Sequence, residues 1–235
     1  MEPPGRGGFT RSGRCLLRRF TFRIVRNKLG AALAPFLGSW TLMMAAMMLP
    51  SAMPMILLHR RGVTSPARMF TELRSAMFIG AYLLTWTAFG AGVWLVARLA
   101  DAVIPMAARA PAVAAILLLA GVYQFTPLKA ACLRVCRSPM DFLLTHWYPG
   151  VAGEMRLGLE HGLYCLGCCW ALMVVFVGAG AMGLLWAAVI ALVVLVEKVL
   201  PRGVAFGRVM GTGLIAGGLL VATRPEVAQF LSGKM

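Results

Sequence analysis

The most informative pattern in the sequence is a group of soft and ionisable side chains within one ten-residue stretch: Glu160, His161, Cys165, Cys168 and Cys169. In a helix, which turns about 100° per residue, His161, Cys165 and Cys168 fall on one narrow face, with Cys169 beside it. Thiolates and imidazole together are typical ligands of Cu(I), zinc or iron–sulfur centres. The spacing therefore predicts a metal site on this face, with Glu160 as a weaker candidate ligand.

Two further groups carry soft atoms. Cys132 and Cys136 are spaced i, i+4, so a helix would present both on one face. Six methionines lie within residues 43–55, and their thioethers favour Cu(I) over other ions. Methionine at helical spacing is more often a packing surface, as a single buried cysteine is. The weaker candidates are therefore Met47, Met48 and Met53, together with Glu197, which precedes Lys198 near the end of an apolar run.

The composition indicates what surrounds these residues. Of 235 residues, 60% are hydrophobic and 13% are charged, and the mean hydropathy is +0.80. Soluble domains have roughly 45–50% apolar and about 25% charged residues, so a soluble domain and a disordered chain are both excluded. Six cysteines are too sparse for a disulfide scaffold. The net charge of +15 comes from basic residues that border apolar runs, which argues against nucleic acid as a partner.

We therefore predict an all-α integral membrane protein, a polytopic bundle of about six transmembrane helices in a membrane domain at residues 31–222. Two GxxxG patterns, at Gly207/Gly211 and Gly213/Gly217, predict close packing of the last helix. The predicted spans cover residues 33–57, 77–99, 110–127, 160–180, 183–200 and 204–222.

The two ends of the chain are predicted to lie outside the bilayer. Residues 1–30 form a basic arm, whose first 28 residues hold eight of the 23 Lys and Arg and one acid. Such an arm is expected to bind anionic lipids. Residues 223–235 form a C-terminal tail.

The loops after the first, third and fifth predicted spans are the richest in Lys and Arg, which places them in the cytoplasm. The same rule disfavours the basic arm outside, so the orientation of the N-terminus stays open. In either orientation, we expect the Cys/His group at one end of the bundle, where the odd spans finish and the fourth begins.

Four strings carry a resemblance to a known family: WTLMMAAMMLP at 40–50, YQFTPLK at 123–129, CLRVCRSP at 132–139 and GLEHGLYCLGCCW at 158–170. With Glu197-Lys198, they resemble DUF2182, a family of bacterial integral membrane proteins that are predicted to bind metal, some of them labelled copper chaperones. The resemblance covers roughly residues 38–203. It implies a multi-pass protein of the bacterial inner (plasma) membrane with a metal site, and it supports Cys132, Cys136, His161, Cys165, Cys168 and Cys169 as ligands.

The chain departs from that family in two places. Relatives usually carry another membrane helix before the Met-rich one, where this chain has the basic arm, so we expect its start to be truncated or divergent. Relatives also often have Met-Asn where this chain has Met182-Gly183.

The leading hypothesis is a membrane-embedded protein that handles Cu(I) as a chaperone, store or delivery protein, with a metal-receiving protein as its partner. Zinc and iron are alternative ions. A first alternative is a membrane thiol–disulfide oxidoreductase that uses Cys165/Cys168 and Cys132/Cys136. The loop charges disfavour it because they place these thiols in the reducing cytoplasm.

A second alternative is a structural or assembly subunit of a membrane complex. The chain contains no hydrolase, phosphate-loop or nucleotide motif, so a non-enzymatic role is favoured over an enzymatic one.

Overall fold

A computed structural model describes residues 11–62, 68–105, 108–148, 150–178 and 184–224, with side chains described from residue 32 onward. Over these ranges the chain is helical and forms no strand. The basic arm through residue 10, Met182-Gly183 and the tail beyond residue 224 lie outside the described residues. The helices are α1 Arg11–Gly62, α2 Arg68–Val103, α3 Arg109–Tyr123, α4 Pro127–Arg137, α5 Pro139–His146, α6 Gly150–Gly178, α7 Leu184–Val199 and α8 Gly203–Thr223.

Four helical segments are long and apolar enough to cross a membrane: Ala32–Gly62, Met69–Val103, Gly150–Gly178 and Gly203–Thr223. Together, α3 and α4 make a fifth if this pair, which is bent by 64°, forms one broken span. The all-helical class is confirmed, whereas the predicted number of about six spans is not. One reason is α7, which has 16 residues where a straight span needs about 20.

The third predicted span, 110–127, corresponds to α3, and the chain breaks after it into a separate helix, α4. α3 ends at Tyr123, and α4 starts after Thr126, whose side chain accepts a hydrogen bond from the backbone N–H of Lys129. Pro127 then occupies the first turn, where its missing N–H costs nothing. The break bends α4 by 64° from α3, so that Lys129 contacts Glu197 of α7 and the two cysteines of α4 lie against α6.

The fourth predicted span begins earlier than expected. α6 starts at Gly150, whose φ of +84° is an ordinary conformation for glycine, ten residues before the predicted start at residue 160. The Cys/His group therefore lies near the midpoint of α6. The Cys/His group thus does not open its helix, as the sequence analysis expected, because that helix starts ten residues earlier.

Small residues let α6 approach α2 closely. A Cβ atom at Gly158 would lie 2.3 Å from the backbone oxygen of Phe78, and one at Gly162 would lie 2.6 Å from Oγ1 of Thr85. This approach brings α2 against the face of α6 that carries the cysteines. Gly211 of the first GxxxG pattern acts similarly against α3, because a Cβ there would lie 2.9 Å from the backbone oxygen of Gly121. A Cβ at Gly207 would instead lie 3.0 Å from Oε1 of Glu197 on α7.

The second GxxxG pattern does not take part in this packing. Cβ atoms at Gly213 and Gly217 would meet nothing within 4 Å among the described residues. The main buried core instead lies between α1, α2, α6 and α7, with α4 closing one side. Its largest fully buried side chains include Trp40, Met44, Met48, Tyr82, Trp86, Leu133, Met173 and Phe176.

Candidate metal centre

Three cysteines of α6 form a compact thiol cluster in the main core. The side chains of Cys165, Cys168 and Cys169 are buried, and their Sγ atoms all lie within 4.8 Å of one another. An ion held in the plane of three sulfurs, with metal–sulfur bonds of about 2.3 Å, would keep those sulfurs about 4 Å apart. Small side-chain adjustments would therefore let the three thiols bind a single ion.

The cysteines of α4 approach the thiol cluster from the side. Sγ of Cys136 lies 4.0 Å from Sγ of Cys168, close enough to supply a fourth sulfur. Cys132 lies one turn earlier and is half-buried against α6, where a Cβ at Gly167 would lie 2.7 Å from its Sγ. All five cysteines of α4 and α6 are free thiols. The bend after α3 thus brings Cys132 and Cys136 to the thiol cluster.

Cys165 receives two polar contacts from other helices. The Tyr82 hydroxyl on α2 lies 3.0 Å from Sγ of Cys165, and the Lys198 ammonium on α7 donates to the same sulfur at 3.2 Å. Lys198 also donates to Oγ of Ser51 on α1 at 2.9 Å. An ammonium beside a sulfur in a low-dielectric core stabilises negative charge on that sulfur, and the thiolate is the form that binds metal.

Glu197 and Lys198 are neighbours in the sequence but contact different partners. The Glu197 carboxylate accepts hydrogen bonds from Nζ of Lys129 on α4, at 2.8 and 2.9 Å. The Lys129 ammonium also donates to Oε1 of Gln124. All three side chains are buried. Glu197 is therefore engaged in an ion pair, and Lys198 is the charged residue that contacts the thiol cluster.

His161 lies one turn before Cys165 but is not among the three residues whose ligand atoms lie within 4.8 Å of one another. Its buried ring packs against the rings of Tyr82 and Phe142, with centroids 5.7 and 5.5 Å away. Nδ1 of His161 has no hydrogen-bond partner among the described residues. The neighbouring candidate Glu160 is not in the thiol cluster either: its carboxylate accepts a hydrogen bond from Nε of Arg156 at 2.8 Å.

The methionines divide into two sets. Met47 and Met48 are buried in the same core cluster as the three cysteines. Met53, in contrast, is 44% exposed and faces away from this core. Of the six cysteine and histidine candidates, the structure brings four into one group: Cys136, Cys165, Cys168 and Cys169. Met47 and Met48 are packed in the same core.

Some functional contacts were missed by the sequence analysis. Tyr82 and Ser51 are ordinary residues in apolar helices, and nothing in their local sequence connects them to Cys165. The burial of Lys129 was missed as well, because α4 also carries Arg134 and Arg137 and its local sequence indicates an exposed basic segment. Its partner Glu197 is 68 residues away in the sequence.

The site and the fold together define a class: an all-helical protein with helices of membrane-spanning length around a buried thiol cluster. A family model described as "PpoB2: Copper chaperone" matches residues 37–221. The chain belongs to this PpoB2 copper chaperone family. The copper-chaperone resemblance seen in the sequence strings is thereby confirmed. Searches of curated proteins and of solved structures find no match.

Proposed function

We propose that this protein is a membrane-embedded copper chaperone that holds Cu(I) on the thiol cluster and passes it to an acceptor protein. The observation that carries the proposal is the position of the buried Sγ atoms of Cys165, Cys168 and Cys169, all within 4.8 Å of one another. Membership of a copper chaperone family and the helices of membrane-spanning length support it. Copper is the cargo of such a protein and not a resident cofactor.

Charge balance is met by Cu(I) when two of the three cysteines bind as thiolates and the third stays a neutral thiol. That arrangement has a net charge of −1, which the Lys198 ammonium beside Cys165 offsets. A neutral sum is important because an uncompensated charge in the core is costly. The thioethers of Met47 and Met48 in the same core are neutral soft donors, which favour Cu(I) over zinc or iron.

The α4 thiols suggest how the ion reaches or leaves the cluster. Cys136 adjoins Cys168, and both Cys136 and Cys132 are only partly buried, whereas the α6 thiols are fully enclosed. Exchange of Cu(I) from one sulfur to the next would keep the ion bound throughout its movement. We place the protein in the bacterial inner membrane with the basic arm on anionic lipid, and its partner is a metal-receiving protein.

The test is elemental analysis of protein purified in detergent, anaerobically and without a metal-binding tag, after loading with Cu(I) and removal of weakly bound ion with a Cu(I) chelator. We expect near-stoichiometric copper in the unmodified protein and loss of most of it in a Cys165→Ser, Cys168→Ser, Cys169→Ser variant. The matched control is Met53→Leu, which removes an exposed sulfur outside the core and should leave the copper content unchanged. Copper-free unmodified protein, or equal copper in the serine variant, would overturn the proposal.

One observation favours a second function. The Sγ atoms of Cys136 and Cys168, 4.0 Å apart, are close enough to form a disulfide after a small movement. In a thiol–disulfide oxidoreductase, these two thiols would lose two protons and two electrons to a disulfide or quinone acceptor and form one S–S bond. Thiol counting on the same preparation decides: two thiols lost reversibly, with no bound copper, would support this function instead.

A further inference from the structure

A second group of buried polar residues lies away from the thiol cluster, where α1, α2 and α6 meet. His59 on α1 is fully buried, and its Nε2 hydrogen-bonds the carboxylate of Glu154 on α6. Arg74 on α2 donates to the same carboxylate, with its Nε 2.8 Å from Oε1. Nδ1 of His59 has no hydrogen-bond partner among the described residues. None of these residues takes part in the proposed copper site.

The charges of this group determine which ring nitrogen of His59 is free to bind a ligand. Arg74 balances the charge of Glu154, so the group is neutral when His59 is neutral. A neutral His59 donates its Nε2–H to Glu154 and keeps a lone pair on Nδ1. Histidine ligands in metal sites usually give their other N–H to a carboxylate in this way. Buried nitrogens without a partner are rare, and the free Nδ1 of His59 is thus a candidate ligand atom.

Met55 is a second soft residue on the same helix as His59. It is buried and lies one turn before His59, so both side chains share a face of α1. Both also pack against Phe78: Met55 shares a buried cluster with it, and the His59 ring stacks on it with centroids 4.7 Å apart. A thioether and an imidazole are neutral soft ligands, which suit Cu(I) and not hard divalent cations.

The position of this pair connects it with the thiol cluster. His59 follows Ser51, which contacts Lys198, by eight residues of α1, or about 12 Å at a rise of 1.5 Å per residue. Phe78 also packs against His161, with centroids 6.1 Å apart, and His161 precedes Cys165 by one turn. The pair therefore lies between the thiol cluster and the end of α1 at Gly62.

We propose that Nδ1 of His59 and the thioether of Met55 form a second Cu(I)-binding site, through which the ion passes between the thiol cluster and this end of the bundle. The proposal rests on the copper function proposed above. The site holds Cu(I) more weakly than the thiol cluster, because its ligands are neutral and exert no charge attraction on the ion.

The experiment is an anaerobic titration of the full chain in detergent with Cu(I), in competition with a chromophoric Cu(I) chelator. His59→Gln keeps an amide N–H for Glu154 but removes Nδ1, and Met55→Leu keeps the volume but removes the sulfur. We expect the unmodified protein to show a strong and a weaker binding event. In both variants the weaker event should lose affinity by about tenfold or more, with the strong event unchanged.

Two controls separate this site from the thiol cluster. His146→Gln changes a histidine whose Nδ1 already contacts Oγ1 of Thr145 at 2.7 Å, and it should bind copper as the unmodified protein does. The Cys165→Ser, Cys168→Ser, Cys169→Ser variant should retain only the weaker event. X-ray absorption of that variant with Cu(I) should show imidazole nitrogen and sulfur around copper.

The outcomes distinguish the two proposals. One strong event that the serine variant loses, and that His59→Gln and Met55→Leu leave unchanged, would overturn the second site and support the thiol cluster. No Cu(I) binding by the unmodified protein would overturn both. If His59→Gln does not fold, as judged by gel filtration, Met55→Leu and the spectrum of the serine variant decide, and copper without imidazole ligands in that spectrum overturns the second site.

Discussion

The ammonium of Lys198 lies 3.2 Å from the sulfur of Cys165, in a contact between α7 and α6 from which water is excluded. The same ammonium donates to Ser51 on α1, so three helices meet at one positive charge beside the thiol cluster. A buried charge of this kind is expensive unless a partner compensates it. In the copper site proposed above, the Cys165 thiolate is that partner.

Lys198→Met removes this charge but keeps an apolar stem of similar length. We expect Cu(I) affinity to fall by about tenfold to a hundredfold, because a contact that supports a metal ligand typically has an effect of this size. Competition with a Cu(I) chelator measures the change, and Lys198→Arg, which keeps the charge, should lose less. Equal affinities for Lys198→Met and the unmodified protein would show that the charge of Lys198 does not support copper binding.

Tyr82→Phe removes only the hydroxyl that lies 3.0 Å from the sulfur of Cys165. The aromatic ring, which packs against His161, is kept. We expect Cu(I) affinity to decrease by less than in Lys198→Met, since a neutral hydrogen bond contributes roughly 0.5–1.5 kcal/mol. The same chelator competition measures it. A larger loss of affinity than in Lys198→Met would show that the hydrogen bond from Tyr82 supports Cys165 more than the charge of Lys198 does.

The part of the site that lies on one helix could be predicted from the sequence. Positions 165, 168 and 169 share a face wherever the segment is helical, because helix geometry alone fixes that relation. The resulting prediction of a cysteine cluster agrees with the observed sulfur positions. His161 shares the face as well, but its side chain packs with Tyr82 and Phe142 beside the cluster, which depends on neighbouring helices.

Contacts between helices could not be predicted from the sequence, because they depend on how the helices pack. The approach of Cys136 to Cys168 depends on the break between α3 and α4. The sequence does indicate this break, because Thr126 is a capping residue and Pro127 is a first-turn proline. No such local signal joins Lys198 to Cys165. Their contact follows from how α7 packs on α6 and α1, and hydropathy does not encode that packing.

The buried ion pair between Lys129 and Glu197 makes a prediction about stability. Glu197→Gln leaves Lys129 charged in the core, and removal of one partner from a buried pair typically costs about 3–5 kcal/mol. We therefore expect a marked loss of thermal stability in detergent. The double variant Lys129→Met, Glu197→Gln leaves no unpaired charge, so it should recover much of that loss. Additive losses in the double variant would mean that the two residues do not stabilise one another.

Among the glycines of α6, Gly158 lies closest to the backbone of α2. In Gly158→Ala, the new Cβ would lie 2.3 Å from the backbone oxygen of Phe78, which cannot rotate away as a side chain can. The helices must separate, and overpacking of this kind typically costs about 1–3 kcal/mol. The separation also moves Tyr82 relative to Cys165, so both thermal stability and Cu(I) affinity should fall. Gly80→Ala on α2 is the matched control, because its Cβ meets nothing within 4 Å. If the two variants were equally stable and bound Cu(I) equally well, close packing of α2 on α6 would not be what positions the thiol cluster.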